Sequence, residues 1–293
     1  MVAAMVNRSS GRRGSASFAD PRQAVSALLA GQNPEGGWGY GSTESWTEPT
    51  ALAILALRAH GIRQSVVDKG LRWLAKCQRA DGGWPPNPQV RESTWVTALA
   101  LLAFKDNPRA LAWLMEQSGR ESGIVQRLRL WMLGVDPAVD TKNHGWPWFP
   151  GTAAWVAPTA LSILAMSRYG SPEVRERVAT GRAFLLSRVC GDGGWNHGST
   201  RALGYESSSY PETTGLALLA LRGTPNLSRS IERAQQHLRD CPSTQGACWL
   251  RLGLLSHGQP ATMKQLACRN QLDTSLYLLA SIAGSDRNPL LDN

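Results

Sequence analysis

The stretch from residue 69 to residue 84, KGLRWLAKCQRADGGW, decides the fold because its pattern recurs along the chain. Trp73 and Leu74 lie on the apolar side of a predicted helix, Gln78 follows, and the stretch ends in a Gly-Gly-Trp turn. Similar glycine-tryptophan turns end at three further positions, Trp38, Trp146 and Trp195. Self-similarity at a spacing of roughly 20 to 50 residues or more indicates stacked structural repeats.

An apolar helix is predicted after each turn, and an amphipathic helix rich in Arg and Gln is predicted before it. Helices that are apolar almost all round should be buried, so each repeat pairs an inner helix with an outer one. The predicted inner helices cover residues 49–60, 94–104, 157–168, 211–222, 246–256 and 273–283. The predicted outer helices cover residues 20–31, 65–78, 108–117, 173–189, 227–240 and 261–268.

The predicted fold class is therefore all-α, with about six helix pairs, because strand signals are nearly absent. Residues 119–143 are predicted to be irregular, with one helix near residues 124–133. We expect a disordered basic N-terminal tail over residues 1–18, one helical domain over residues 19–286 and a C-terminal tail over residues 287–293.

Composition limits the cellular locations and the classes of binding partner that fit this protein. The apolar runs are far shorter than the roughly 20 residues that cross a bilayer, and the N-terminus lacks the apolar centre of a secretory signal. Five cysteines without a Cys-x-x-Cys pair fit reduced thiols, which predicts a cytoplasmic location. The net charge of +9 comes from scattered basic residues, which favours a diphosphate or an anionic membrane surface and not nucleic acid.

The pattern of residues 69–84 resembles the QW repeat of squalene-hopene cyclases and of protein prenyltransferase β subunits. Further copies or fragments carry part of it: Gly181, Phe184, Leu185 and Gly193-Gly194-Trp195; Leu28, Leu29, Gln32 and Gly36-Gly37-Trp38; and Trp113, Leu114 and Gln117. The resemblance covers residues 20–285 and implies an α/α toroid, in which inner helices ring a central cavity and loops build the two mouths. It also implies structural roles for the repeated Gln, Trp and Gly.

The resemblance to class II terpene cyclases implies a proton donor at the middle acid of an Asp-x-Asp-Asp motif before a Thr-Ala helix start. That motif is absent, but two helix starts keep one carboxylate at the donor position. Aligning Thr214-Gly215 with Thr-Ala places Tyr210, Glu212 and Thr213 on the three acids; aligning Thr50-Ala51 places Trp46, Glu48 and Pro49. Glu212 and Glu48 are thus the candidate catalytic acids. Each also complements the dipole of its helix, which is the alternative role.

Aromatic residues are the second functional signal, since the chain has 12 tryptophans. Trp46, Trp95, Trp155 and Tyr210 fall where inner helices begin, and Trp148 lies in a proline-rich loop with Trp146 and Phe149 that could cover one mouth. Aromatic faces bind isoprenoid chains and stabilise carbocations by roughly 0.5 to 2 kcal/mol each, although packing alone also explains such residues. His144 and His197, beside the turns, are expected to be polar residues of the rim.

Zinc-dependent prenyl transfer is the other chemistry that the resemblance implies. Cys248 and Asp273 align with ligand positions, but two ligands fall short of the three that a catalytic zinc site requires. No cofactor is therefore predicted, with zinc kept as an alternative. Two functions stay open: an enzyme that holds an isoprenoid or other lipid in the cavity, and a non-catalytic toroid that binds a lipid or pairs with a second subunit.

Overall fold

The computed structural model describes residues 16–18, 20–41, 44–62, 64–104, 106–122, 132, 143–198, 201–202, 205–264, 266–284 and 287–291. Within these ranges the chain forms six apolar helices: α2 (Thr47–Ala59), α4 (Val96–Ala103), α6 (Val156–Met166), α8 (Pro211–Ala220), α10 (Thr244–Ser256) and α11 (Gln271–Ser281). The more polar helices there are α1 (Pro21–Ala30), α3 (Gln64–Cys77), α5 (Pro108–Glu116), α7 (Pro172–Ser187) and α9 (Ser228–Asp240).

The six apolar helices form a closed ring. Each one packs against the next in chain order, and α11 packs against α2 to complete the circle. The polar helices pack on the outside, for example α3 on α2 and α7 on α6. Nearly every residue of the inner helices is buried, which explains why their sequences lack a polar face. The all-α class and the α/α toroid that the resemblance implies are confirmed.

The tryptophan of each Gly-Trp turn joins an outer helix to the following inner helix. The indole N–H groups of Trp38, Trp84, Trp146 and Trp195 donate to the carbonyls of Leu28, Leu74, Leu114 and Leu185 at 2.7–2.8 Å. Their backbone N–H groups donate to the hydroxyls of Thr50, Thr97, Thr159 and Thr214 at 2.8–3.0 Å. All four tryptophans are buried, so these bonds satisfy polar groups that water cannot reach.

Glycine and glutamine residues shape the Gly-Gly-Trp turns, as the turn at Gly82 shows. Gly82 has a φ of 94°, in the region that favours glycine, and its carbonyl accepts a bond of 2.8 Å from the side chain of Gln78. The same amide of Gln78 donates to Asn107 Oδ1 at 3.1 Å, at the start of α5. The side chain therefore ties its own turn to the next outer helix.

Helices α8 and α10 approach each other more closely than side chains would allow. A Cβ atom on Gly215 would lie 2.3 Å from the backbone nitrogen of Leu250, and one on Gly253 would lie 2.4 Å from the carbonyl oxygen of Gly215. This contact gives the physical reason for glycine at position 215, where the resemblance led us to expect alanine.

All six inner helices begin at the same end of the ring, which we call the N-terminal mouth. The first residues of one helix bond to the turn that precedes the next: Thr47 N–H to Pro86 O, Trp95 N–H to Trp148 O, Val156 N–H to His197 O and the Thr244 hydroxyl to Ala267 O, at 2.8–3.2 Å. These bonds link neighbouring helix starts around most of the circle.

A 3₁₀ helix over Arg120–Ser122 and six strands of two residues each complete the described elements. The strands are β1 (Ala16–Ser17), β2 (Trp146–Pro147), β3 (Ala154–Trp155), β4 (Arg201–Ala202), β5 (Tyr205–Glu206) and β6 (Ala267–Cys268). They pair antiparallel as β1 with β6, β2 with β3, and β4 with β5. The pairing of β6 with β1 shows that the outer helix predicted over residues 261–268 was wrong: residues 261–264 are not helical, and Ala267–Cys268 bonds to the chain near the N-terminus.

The described residues of both predicted tails pack against the toroid. Of the N-terminal tail, residues 1–15 lie outside the described residues, whereas Phe18 is buried beside the ring. At the other end Leu290 is buried, and the carbonyl of Pro289 accepts a bond of 2.6 Å from Arg168. The helix predicted near residues 124–133 falls mostly outside the described residues. No helix among those described is long and apolar enough to cross a membrane.

Replacing Thr97 with valine should destabilise the protein, because the buried Trp84 N–H loses its acceptor while the side-chain shape is kept. A buried unsatisfied donor costs about 1–3 kcal/mol, which chemical denaturation can measure. The matched control is Thr180→Val on the outer surface of α7, where the change should be within about 0.5 kcal/mol. Equal effects of the two substitutions would contradict the role of the junction bond.

Candidate active site

Four structurally equivalent turn residues surround the N-terminal mouth. Each is the second residue after the tryptophan of a Gly-Trp turn, and we call them the mouth-turn residues: Tyr40, Pro86, Trp148 and His197. Three of them accept the backbone bonds that link neighbouring helix starts. The repeat therefore presents this position and the first residues of the inner helices to the same opening.

Glu48 is the best-developed acid at the mouth. It lies in the first turn of α2, and the hydroxyl of Tyr40 donates a hydrogen bond to its Oε2. The carboxyl is close to protein atoms on most sides although the residue keeps some exposure. Burial raises the pKa of Glu48 to about 7, and the bond from Tyr40 partly opposes this shift because it favours the charged form.

Aromatic rings flank this acid and continue around the mouth. Tyr40 and Trp46 meet edge to face with ring centroids 5.6 Å apart, and Trp95 and Trp148 do so at 4.7 Å. Trp46, Trp95 and Trp148 are half-buried, whereas Tyr40 is 39% exposed. Such contacts leave ring faces and edges available at the opening.

The opposite side of the mouth carries a second aromatic group. The ring of His197 lies 6.3 Å from that of Trp155 and 5.2 Å from that of Tyr210. Trp155 is 37% exposed and Tyr210 is 47% exposed, an unusual placement for side chains of this size. All five predicted substrate-binding aromatics, Trp46, Trp95, Trp148, Trp155 and Tyr210, therefore lie at one mouth of the ring.

Glu212 lies across the ring from Glu48, since three steps around the ring of six separate α2 from α8 in either direction. The residue is half-buried in the first turn of α8. Its Oε1 packs against α10 so closely that a Cβ on Gly246 would lie 3.0 Å away. Glu212 also acts electrostatically on His197, whose pKa burial lowers and Glu212 raises. The two candidate acids thus have different neighbours.

Sequence reasoning missed Tyr40 and gave His197 only a place on the rim. The available signal was positional, because both residues are the second after the tryptophan of a Gly-Trp turn. Tyr40 and His197 can each donate or accept a proton. Pro86 and Trp148, which stand at the same position in the other repeats, do not act as acids or bases.

Cys248 and Asp273, the weak zinc candidates, lie in surroundings that fit structural roles. Asp273 Oδ1 accepts from the side chain of Gln245 at 3.0 Å, and Oδ2 accepts from the backbone N–H of Arg269 at 2.8 Å. Burial raises the pKa of Cys248 well above its usual value, which keeps it a thiol. Within the described part of the chain, no three His, Cys, Asp or Glu side chains are grouped to hold a metal ion.

A Ser-His-Asp group near the same end is structural. Ser209 Oγ lies 2.9 Å from Asp192 Oδ2 and 2.7 Å from His237 Nε2, so the serine and not the histidine is central. The same serine-to-acid bond recurs without any histidine in two other repeats, as Ser45 with Glu35 and Ser93 with Asp81. Its recurrence indicates that it braces the turn.

A small pocket lies at the other end of the ring, away from the predicted site residues. Its lining combines apolar and basic side chains: Leu102, Leu164, Ser167, Arg182, Leu219, Ala220, Arg222, Pro289 and Leu290. Arg182 belongs to the outer helix α7, and the others belong to the ends of inner helices and to the C-terminal segment, so this pocket and the N-terminal mouth are separate features.

The closed ring of inner helices with outer helices around it defines the class of architecture, an α/α toroid. No protein-family model matches the chain. A curated relative, the drimenyl diphosphate synthase of Streptantibioticus cattleyicolor, is 28% identical in an alignment over 230 residues that takes in 74% of this chain and 39% of that protein. The chain thus spans about two fifths of the length of this relative.

Solved structures support the same fold. The type II terpene cyclase MstE from Scytonema has a TM-score of 0.52 and 17% identity, covering 92% of this chain and 80% of that one. A GH8 endo-β-1,4-glucanase from an Achatina fulica gut metagenomic library has a TM-score of 0.59 and 13% identity, covering 90% and 97%. Because proteins of such different activity both match this fold, the fold alone does not select a function.

Replacing Tyr40 with phenylalanine should raise the pKa of Glu48 above its value of about 7, because the bond that favours the carboxylate is lost. The carboxyl-carbon chemical shift of Glu48, followed against pH in glutamate-labelled protein, measures this. Tyr277→Phe is the control, since its hydroxyl bonds to Phe18 O and not to Glu48. A Glu48 that titrates near 4.5 in the parent would contradict the description of the site.

The same pKa predicts how stability depends on pH. In the unfolded chain Glu48 loses its proton near pH 4.5, whereas the folded protein holds it up to about pH 7. The contribution of Glu48 to stability therefore falls as the pH rises through this window, by at most about 3 kcal/mol. Comparing the denaturation of Glu48→Gln with the parent at pH 4.5 and pH 8 should show the variant gaining relative stability. A constant difference would contradict the raised pKa.

Proposed function

We propose that this protein is an isoprenoid cyclase or synthase that binds its substrate at the N-terminal mouth, with Glu48 as the acid that starts carbocation chemistry. One observation carries the proposal: a carboxyl group with a pKa raised to about 7 lies beside electron-rich rings at the N-terminal mouth. A carboxyl whose pKa is raised this far is a candidate for acid-base chemistry near neutral pH.

The first step is proton donation from Glu48. Near pH 7 a substantial fraction of the molecules hold this proton, so the acid is loaded under ordinary conditions. Of the two carboxyl oxygens, Oε2 accepts the bond from Tyr40, which leaves Oε1 to face a substrate. When the proton leaves, the Tyr40 hydroxyl and the start of α2 stabilise the new carboxylate.

Acid strength alone does not account for protonating an alkene, since a carboxyl with a pKa of about 7 is a weak acid. The surroundings must therefore lower the energy of the cation that forms. Trp46 and Tyr40 lie beside the donor, and each ring face that contacts a cation contributes about 0.5 to 2 kcal/mol. Trp95, Trp148, Trp155 and Tyr210 would hold the rest of the chain.

The choice of an isoprenoid rests on the relatives. The curated relative is a drimenyl diphosphate synthase, and structures of MstE are complexes with geranylgeranyl dihydroxybenzoate as substrate and merosterolic acid A as product. The glucanase likeness has 13% identity and concerns the fold. We therefore propose a polyprenyl compound as the small-molecule partner.

We also propose further binding partners and a cellular location. Because the curated relative is much longer, a second subunit or domain is a candidate partner for this toroid. The net charge of +9 is consistent with contact with an anionic membrane surface or a substrate diphosphate. A cytoplasmic location, zinc-dependent prenyl transfer and a non-catalytic lipid-binding role stay predictions from the sequence.

The proposal is tested by incubating the purified protein with polyprenyl diphosphates of 15 to 20 carbon atoms and analysing the products by mass spectrometry. Glu48→Gln should lower turnover by about 100-fold or more, the usual contribution of a general acid. Glu116→Gln, on the exposed side of α5, is the matched control and should keep full activity. Equal turnover in Glu48→Gln and the parent would exclude Glu48 as the acid.

A parent protein without turnover is examined by extracting its bound lipids after purification. A stoichiometric isoprenoid in the extract with no product from any substrate would support the non-catalytic binder in place of the enzyme.

A further inference from the structure

Two repeats on opposite sides of the ring carry the same arrangement at the mouth. In each, the mouth-turn residue is a proton carrier, and a carboxylate stands two residues before the threonine that bonds the turn tryptophan. The pairs are Tyr40 with Glu48 and His197 with Glu212. In the two repeats between them the corresponding residues are Pro86 with Trp95 and Trp148 with Ala157, which cannot exchange a proton.

The two pairs differ in which way a proton would move. Glu48 keeps a proton near pH 7, so the first pair is a donor. Burial lowers the pKa of His197 below its ordinary value while Glu212 partly opposes this, so the surroundings favour the neutral imidazole. A neutral imidazole has one ring nitrogen that can accept a proton. The pair of His197 and Glu212 is therefore suited to accept a proton.

The surroundings of His197 suit a reaction that ends at a cation. Its ring stands between Trp155 and Tyr210, at 6.3 Å and 5.2 Å between centroids. Its backbone carbonyl accepts a bond of 2.9 Å from Val156 N–H, which holds the turn against the start of α6. The imidazole thus lies close to two aromatic rings, a type of side chain whose faces attract positive charge.

We propose that His197, supported by Glu212, is the base that ends the reaction, on the side of the mouth opposite the acid. This inference rests on the proposed function and adds a second catalytic residue to it. The sequence offers both Glu48 and Glu212 as candidate acids; in this proposal Glu48 donates the proton and Glu212 supports the base.

The proposed reaction steps balance in protons and electrons. Glu48 gives its proton to one carbon of a double bond, and the electrons of a second double bond form the new carbon-carbon bond. His197 then removes a proton from a carbon next to the final cation, and that C–H electron pair becomes a new double bond. Substrate and product are isomers. Afterwards Glu48 regains a proton from water and the imidazolium of His197 releases one.

The position of the base also determines the kind of product. A base that acts before water does gives an alkene, whereas capture of the cation by water gives an alcohol. His197 lies across the ring from Glu48, so deprotonation would occur towards the far end of the bound chain and not beside the carbon first protonated.

The product test compares His197→Gln with the parent on polyprenyl diphosphates of 15 to 20 carbon atoms. The variant should form the parent alkene about 100-fold more slowly or worse, with alcohols or other alkene isomers taking its place. Glu48→Gln should instead lower all products together, by about 100-fold or more. Glu116→Gln is again the control. An unchanged alkene from His197→Gln would overturn the base role while leaving the proposed function standing.

The pairing with Glu212 has a test that does not depend on turnover. In histidine-labelled protein, the resonance that disappears in His197→Gln identifies this ring, and its pKa can be followed by NMR. Glu212→Gln should lower that pKa, because the carboxylate raises it in the parent, whereas Glu116→Gln should leave it unchanged. A pKa that is insensitive to Glu212→Gln would overturn the supporting role. A parent that turns over no isoprenoid would instead overturn the proposed function.

Discussion

The rest of the structure depends on the two hydrogen bonds made by each turn tryptophan. The indole of Trp84 donates to the last turn of an outer helix, and its backbone N–H donates to the first turn of the next inner helix. Because both bonds are buried, a shift of either helix would leave a donor without an acceptor, at about 1–3 kcal/mol each. Repetition of this junction in four repeats sets the angle between helices and closes the ring.

The same junction explains why the candidate chemistry is gathered at one end. The residues that flank each tryptophan and each threonine are brought to the N-terminal mouth whatever their identity, so this end is free to vary in chemistry while the scaffold stays the same. In this chain aromatic side chains stand at four of the inner-helix starts, and an acid stands beside two of them. Glu48 accepts a hydrogen bond from Tyr40, whereas Glu212 acts electrostatically on His197, so the two acids have different partners.

Much of the site was predictable because it follows the repeat. Glu48, Glu212 and the aromatic residues at the helix starts could be found by aligning turns and Thr-Ala starts, since each repeat positions them alike. The outer helix predicted over residues 261–268 was wrong because pairing with Ala16–Ser17, more than 200 residues away, competes with a local helix. Residue 215 is likewise explained by a neighbour distant in sequence, since α10 leaves no room there for a side chain.

By itself the sequence determined the all-α class, five of the six predicted helix pairs and the ends of the inner helices to within about two residues, because apolar periodicity, glycine turns and helix-start residues act locally. Only the tertiary structure decided that Glu48 bonds to Tyr40, that Glu212 faces α10 and His197, and that the two acids lie on opposite sides of the ring. The pKa of a carboxyl depends on the atoms around it, and most of those atoms come from other parts of the chain.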